Sequence, residues 1–300
     1  MSRTLLGFIL LAVAVVVAVG VTLADTGSSP SQHGRVDVVA AENFYGDIVS
    51  QIGGSHVAVS SILSDPNADP HLFEPGTRNG LAVARAALVI QNGVGYDSFM
   101  QKLEDAAPSS HRTVVTIADV LGVNGADANP HLWYDVPALG RIASAIASGL
   151  SRADPAHRSD YRAGLVRFNR SLAGLRSEVA AIWARFGGTP VAYTEPVPGY
   201  LLAAAGLRSL TPVAFARAIE DGSEPSPEAV AQMTALFTGR RVRVLLYNDQ
   251  TVSPITSRIR TAARTAGIPV VGVSETMPHG ESFQQWQLGQ ARALESALRR

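Results

Sequence analysis

The chain has 300 residues, 46% hydrophobic and 17% charged, enough for one large domain or two medium ones with separate cores. Its 25 basic residues balance 25 acidic ones and no long basic run occurs, which argues against nucleic acid as a partner and against an acidic disordered chain. The absence of cysteine removes disulfides, thiolate metal sites, cysteine nucleophiles and any N-terminal cysteine for lipid attachment.

The chain opens with Arg3 and an apolar run from Leu5 to Leu23. This has the form of a signal peptide, with an acceptable cleavage site at Thr22, Leu23 and Ala24, and it is also long enough to serve as a membrane anchor. Residues 1–24 are therefore expected to be a signal peptide or an N-terminal anchor, and both place the rest of the chain outside the cytoplasm. Residues 25–35, rich in Ser, Gly and Pro, read as a flexible tether.

Beyond the tether, β-like runs alternate with helical patterns. Strands are expected at Val36–Ala41, His56–Leu63, Leu88–Asn92 and Thr113–Ile117, and helices at Asn43–Ile52, Leu81–Ala87 and Ser98–Glu104. A polar, Pro-rich loop from Ser64 to Gly76 carries His71. Leu139–Leu150 is an apolar-periodic helix. Asp154 and Pro155 then look like an N-cap followed by proline at the first helical position, and Pro155–Phe186 keeps a helical period without an internal proline. Such a helix would be about 45 Å long, enough to run along two domains. The alternation resumes with strands at Pro190–Thr194, Leu210–Ala214, Val242–Tyr247 and Pro269–Val273. The helices expected there are Gly199–Ala205, Ser226–Leu236, Pro254–Ala266 and Ser282–Arg300.

The expected fold is α/β: an N-terminal α/β lobe over 36–152, a long linking helix over 153–187 and a C-terminal α/β lobe over 188–300, with mostly parallel sheets. A crevice between such lobes, at the carboxyl ends of the strands, is the expected ligand site.

Two segments nearly repeat each other: Asp69-Pro70-His71-Leu72-Phe73 and Asn129-Pro130-His131-Leu132-Trp133. Proline fixes its own φ and pushes the preceding residue toward extended geometry, so each histidine leaves a stiff, non-helical stretch. Histidine is the commonest neutral metal ligand, and the pair suggests one metal site assembled from separate loops. Glu195, at the end of the strand 190–194, and Glu275, just past the strand 269–273, occupy equivalent places at strand carboxyl ends. His279 competes with Glu275, and Asp249 is a weaker candidate. His33, His56, His111 and His157 read as tether or polar surface residues. Two imidazoles with two carboxylates form a mixed nitrogen–oxygen set that suits Zn(II), Mn(II) or Fe(II), and bidentate carboxylates would favour Mn(II). Asp69, Glu74 and Asp135 are the acids nearest the two histidines and the candidates for fixing their tautomers.

The two Pro-His segments, together with Ala41-Glu42-Asn43-Phe44-Tyr45-Gly46-Asp47, Ile52-Gly53-Gly54 and Gln91-Asn92-Gly93-Val94-Gly95, occur in an order that resembles the metal-binding substrate-binding proteins of zinc and manganese ABC transporters. That family includes proteins once described as adhesins, and the resemblance covers roughly residues 36–300. It implies two α/β lobes bridged by one rigid helix, with the metal in the cleft between them. It implies His71 and His131 as the first two ligands and Glu195, ahead of Tyr200, as the third. The fourth, usually an Asp, falls on Glu275, a departure that keeps His279 in contention. Zinc-specific members often carry a His- and acid-rich loop before the second Pro-His motif; here Leu121–Ala128 has no histidine. With Glu195 in place of a third histidine, this tilts the expectation toward manganese, although affinity order alone favours zinc.

The implied function is a non-catalytic, monomeric extracytoplasmic receptor, in the periplasm or at the cell surface. It would capture Zn2+ or Mn2+ as cargo and deliver it to ABC-transporter permease subunits at the membrane. A secreted zinc-dependent hydrolase would instead need an open coordination position and a general base. A receptor for a metal chelate such as a siderophore would need a roomy aromatic cleft, and the chain is only 6% aromatic. An adhesin role leaves no trace in the sequence.

Overall fold

The computed structural model describes residues 34–66, 70–125 and 127–300, with only the backbone of His71. The expected signal or anchor segment and most of the tether lie outside the described residues. Among the described residues no helix is long and apolar enough to cross a membrane.

Among the described residues, eight strands form two four-stranded, all-parallel sheets with the same internal order. β1 (Val36–Glu42), β2 (Val57–Leu63), β3 (Leu88–Gln91) and β4 (Thr113–Thr116) are arranged 2-1-3-4; β5 (Pro190–Tyr193), β6 (Arg208–Ser209), β7 (Leu245–Asn248) and β8 (Val270–Val273) are arranged 6-5-7-8. In each sheet the winding reverses between the two central strands, β1/β3 and β5/β7. Loops leaving adjacent strands in opposite directions open a crevice at their carboxyl ends there. Glu42 and Asn92 stand at that point in the first sheet, and Glu195 and Asn248 in the second.

The helices cover the sheets as their apolar spacing dictates. In α1 (Asn43–Gly53), Phe44, Tyr45, Ile48, Val49 and Ile52 fall on one buried stripe, and Gly54 in a positive-φ conformation ends the helix. In α12 (Phe283–Leu298), Phe283, Trp286, Ala291, Leu294 and Leu298 do the same for the second lobe, and Ser282 and Gln285 form a capping box at its start. The larger core is continuous across both lobes: Phe44 stacks on Trp133 at 4.4 Å and lies 5.9 Å from Trp286.

The long linking helix is present, with one interruption. A 3₁₀ turn at Pro155–His157 leads into α6 (Arg158–Ser171), and α7 (Ala173–Phe186) follows after Leu172. Leu172 is fully buried, and the Ser171 hydroxyl donates to the Phe168 carbonyl, competing with the main-chain ladder at the break. Asp154 does not cap the helix. Its carboxylate instead accepts from the Tyr161 hydroxyl and the His157 ring, both at 2.6 Å. His157 in turn stacks at 3.9 Å on His56, which pairs with Asp160. Two histidines read as plain surface residues thus fasten the start of α6 to the turn before β2, both of them half-buried.

Four further expectations are corrected. The apolar run Leu210–Ala214 is not a strand: the sheet edge is the two-residue β6, and α9 (Val213–Glu220) starts straight after Pro212. Phe215, Ala216 and Ile219 are the buried side of that helix, whereas Val213 is exposed. The short helix α4 (Ile117–Leu121) follows β4 directly, where a strand end was expected, and α2 (Thr77–Arg85) starts four residues before its apolar pattern. His71 does not lie in extended chain, because Pro70–Leu72 closes a 3₁₀ turn. The remaining helices are α3 (Phe99–Ala106), α5 (Leu139–Ala153), α8 (Gly199–Ala204), α10 (Pro227–Thr238) and α11 (Pro254–Thr265).

The lobes are clasped by paired polar contacts as well as by the shared core. The Asn43 side chain donates to the Met277 carbonyl at 2.7 Å and accepts from its N–H at 3.0 Å; Gln250 donates to the Pro66 carbonyl at 3.0 Å; Asp47 accepts from the Phe283 N–H at 2.9 Å. Each joins an element of the first half to one of the second.

Gly164 sets how closely α6 approaches α1: a Cβ there would lie 2.1 Å from the Ile52 carbonyl oxygen. Backbone cannot yield as a flexible side chain can. Gly164→Ala is therefore expected to destabilise the fold by about 1–3 kcal/mol, read as a lower urea midpoint at unchanged slope.

Candidate metal site

His131 is the fixed point of the site. It sits just ahead of a 3₁₀ turn, Leu132–Tyr134, whose three side chains are wholly buried, so the loop cannot shift without disturbing the core. Its Nδ1 lies 2.7 Å from the Asn129 side-chain oxygen, which also accepts the His131 backbone N–H at 3.0 Å. An amide oxygen only accepts, so Nδ1 carries a proton, and whenever the ring is neutral it is Nε2 that presents the lone pair. Nε2 points into the cleft, 3.3 Å from Glu275 Oε2 and 3.9 Å from Glu220 Oε1.

Asn129 is itself held from the second lobe. Its amide nitrogen donates to the Pro196 carbonyl at 2.8 Å, and its own carbonyl accepts the Tyr200 hydroxyl at 3.0 Å. Gly199 leaves room for this, since a Cβ there would approach the Asn129 amide nitrogen to 2.7 Å. The loop after β5 thus orients the histidine and carries Glu195. Asp135, expected to orient His131, instead accepts from the Ala138 N–H and caps the next turn, and Glu74 is exposed. Asp69 lies outside the described residues.

Glu195 and Glu275 leave the carboxyl ends of β5 and β8, with the end of β7 between them. Both are buried, at 1% and 0% exposure. Asn248, the last residue of β7, donates from one amide nitrogen to Glu195 Oε2, to Glu275 Oε1 at 2.7 Å and to Thr251. Its backbone N–H donates to the Thr194 hydroxyl, and its side-chain oxygen accepts from the Gln250 N–H. Gln250 Oε1 accepts the N–H groups of Glu275 and Thr276 at 2.5 and 3.0 Å, which fixes the turn carrying Glu275. Glu195 Oε1 is buried without a hydrogen-bond partner among the described residues.

His279, the competitor, is exposed. Asp249 packs over Gly272 on the other side of the strand and faces Arg260 and Arg264. The structure therefore brings His131, Glu195 and Glu275 together and leaves those two out. His71 has no described side chain. Among the described residues no three His, Asp or Glu side chains converge on one metal position; the Asn248 amide stands between the carboxylates.

Four contributors went unread in the sequence. Asn129 opens the second Pro-His motif without having been given a role, and Asn248 ends a strand next to the weaker candidate Asp249. Glu220 ends α9, in a stretch after Leu210–Ala214 for which no element was expected. Tyr96 follows the tight turn Gly93-Val94-Gly95, where Val94 takes φ 55°, a costly geometry for a β-branched residue, and its ring lies 5.8 Å from that of His131.

The electrostatics are those of a site with too much negative charge for its burial. Burial and then the charge of Glu275 push the Glu195 carboxyl up to about 9. Glu42 is held well above the carboxylate range, by burial and then by Asp97. At His131 burial lowers the pKa, but Glu220 and Glu275 outweigh it and the net direction is upward. Oxygen-rich, poor in donors and facing one bare imidazole nitrogen, the cleft has the chemistry of a divalent-cation site.

The family model described as "Zinc-uptake complex component A periplasmic" (ZnuA) matches residues 38–297, and the chain belongs to this family. The manganese ABC transporter substrate-binding lipoprotein scaA of Streptococcus gordonii is 22% identical over 300 residues, covering 92% of this chain and 93% of that one. The manganese-binding lipoprotein MntA of Halalkalibacterium halodurans is 27% identical over 157 residues, 52% of this chain and 51% of that one; this match spans about half of each. The solved structure of the periplasmic zinc binding protein TroA from Treponema pallidum superposes with a TM-score of 0.73 at 19% identity, covering 89% of this chain and all of that one, a likeness of fold.

The proton held on Glu195 has a consequence for the metal-free protein. The folded chain keeps this proton up to about pH 9, whereas an unfolded glutamate loses it near 4.5, so the folded state loses stability as the pH climbs between those values. His131, raised in the folded state, acts in the same direction above its ordinary value of 6.5. The melting temperature of chelator-treated protein is expected to fall from about pH 5 to about pH 9, and Glu195→Gln is expected to flatten that slope. A melting temperature that rises across this window would contradict the assignment.

Proposed function

We propose that this protein is an extracytoplasmic receptor that captures one divalent transition-metal ion, Mn2+ or Zn2+, and hands it to the permease of an ABC transporter. The observation that carries this reading is the His131 Nε2 lone pair, aimed across the cleft at Glu275 while Asn129 holds the other ring nitrogen. His131, Glu195 and Glu275 are the ligands of the described residues, and His71 completes the set from its own Pro-His turn. The ion replaces the proton on Glu195 and draws the carboxylates away from Asn248 toward one point.

The near-complete burial of His131, Glu195 and Glu275 favours a bare ion over a bulky chelate. The reading is a binding protein rather than an enzyme: four protein ligands fill a tetrahedral site and leave no position for an activated water. The metals named for scaA, MntA and TroA include both manganese and zinc. The receptor acts outside the cytoplasm as a monomer, with residues 1–24 as the export signal or anchor.

Calorimetric titration of the metal-stripped full chain tests this. A stoichiometry of one ion, with proton release visible as a dependence on buffer ionisation enthalpy, is expected near pH 7. His131→Ala, Glu195→Gln and Glu275→Gln should each abolish or severely weaken binding. Asn129→Ala, which removes only the acceptor for Nδ1–H, should cost about 10–100-fold. Full affinity retained in both Glu195→Gln and Glu275→Gln would sink the proposal.

A further inference from the structure

Glu220 is a third carboxylate at this site, beyond the four residues assigned to the metal. It ends α9, and the negative end of a helix disfavours a carboxylate there by about 0.3–1 kcal/mol. Its side chain nevertheless turns inward, with 16% exposure, and brings Oε1 to 3.9 Å from His131 Nε2. Its charge reaches Glu195, Tyr96 and Tyr193 as well. Glu195 and Glu275 are shut away from solvent, so Glu220 is the outermost of the three acids. The buried Glu195 Oε1, with no hydrogen-bond partner among the described residues, independently marks the space between these groups as a ligand position.

The helix that carries Glu220 is tied to the opposite lobe. Arg217, three residues earlier, pairs with Asp127 at 2.7 Å, and Asp127 lies four residues before His131. This exposed pair links the loop presenting the imidazole to the helix presenting Glu220. Behind Glu220, the buried Phe215, Ala216 and Ile219 lock the helix into the second-lobe core.

We propose that Glu220 is an additional, solvent-side ligand to the captured ion and the residue that biases the site toward Mn(II) over Zn(II). The inference rests on the ion-capture reading above. Two imidazoles with two carboxylates suit a four-coordinate ion, and zinc is satisfied there. A third carboxylate adds hard oxygen donors and raises the coordination number, which manganese accepts more readily. It also lets the ion meet a partly accessible carboxylate before the fully buried pair.

The test compares the full-length wild type with Glu220→Gln, which keeps the size of the side chain and removes its charge. Mn(II) and Zn(II) affinities are measured by calorimetry, and the bound Mn(II) is followed by electron paramagnetic resonance. The Mn(II) affinity is expected to fall at least about tenfold, with a markedly smaller loss for Zn(II) and a changed Mn(II) zero-field splitting. Glu224→Gln, an exposed acid four residues on, serves as the control for general surface charge and should change neither affinity. Equal losses for both metals with an unaltered Mn(II) spectrum would reduce Glu220 to a distant charge and overturn the proposal, as would no loss at all. Should Glu195→Gln leave binding intact while Glu220→Gln lowers it selectively for Mn(II), the assigned ligand set fails and Glu220 stands. A wild type that binds neither ion overturns both.

Discussion

The structure depends on one electrostatic constraint: Glu195 and Glu275 are buried side by side, with a single amide nitrogen of Asn248 between them. Two carboxylates cannot both ionise in such a place without help. The Asn248 amide cannot by itself supply that help, because a hydrogen bond to a charged group returns about 1.5–3 kcal/mol against a desolvation cost of several kcal/mol for each ion. The remaining options are a proton or a cation. The rest of the site serves the second option. Asn129 keeps a proton on His131 Nδ1 and so reserves Nε2 for a cation, and Gln250 pins the turn that holds Glu275 in place. The raised pKa of Glu195 is therefore a measure of how strongly the cleft favours positive charge.

That constraint explains why the lobes are tied so firmly. Holding like charges together needs a frame that does not relax. The continuous core through Phe44, Trp133 and Trp286, the Asn43–Met277 pair and the Asp47–Phe283 contact supply it. The long helix adds to this, since its two halves pack on opposite lobes and Leu172, at the break between them, is fully buried. Motion on ion capture then falls to small parts, namely the side chains near Asn248. A wide hinge would have to tear the shared core first.

Much of this was readable from the residues. Period-2 and period-3.6 patterning located most of the strands and helices, and the two-lobe α/β arrangement follows from their alternation. The failures have physical causes. Leu210–Ala214 looked like a strand because it is apolar, but Pro212 and the spacing of Phe215, Ala216 and Ile219 define a helix whose first residue, Val213, points to solvent. Glu220, at the far end of that helix, fell in a stretch for which no element was expected. His131, Glu195 and Glu275 were visible as residues at strand and loop ends, where ligands gather. The groups that set their chemistry were not. Asn129, Asn248 and Gln250 act through hydrogen bonds between segments as much as 184 residues apart, and no local pattern carries that information. The pairing of His56 with His157 was hidden for the same reason.

The two halves share a strand order but not a charge. Each lobe winds 2-1-3-4 and opens its crevice between its two central strands, so geometry alone would make them equivalent jaws. The first lobe turns an imidazole into the cleft, backed by Tyr96, and its own buried acid, Glu42, is pushed up by burial and by Asp97. The second lobe turns in Glu195, Glu275 and Glu220. Nitrogen therefore comes from one side and anionic oxygen from the other, and only an ion that accepts both can neutralise the interface between them. Attraction of a cation to the acidic jaw needs no ordering of the neutral one. The imidazole then adds a directional bond that fixes where the ion rests. On this division, charge governs capture and His131 governs position, so a change on one jaw should alter affinity without moving the site.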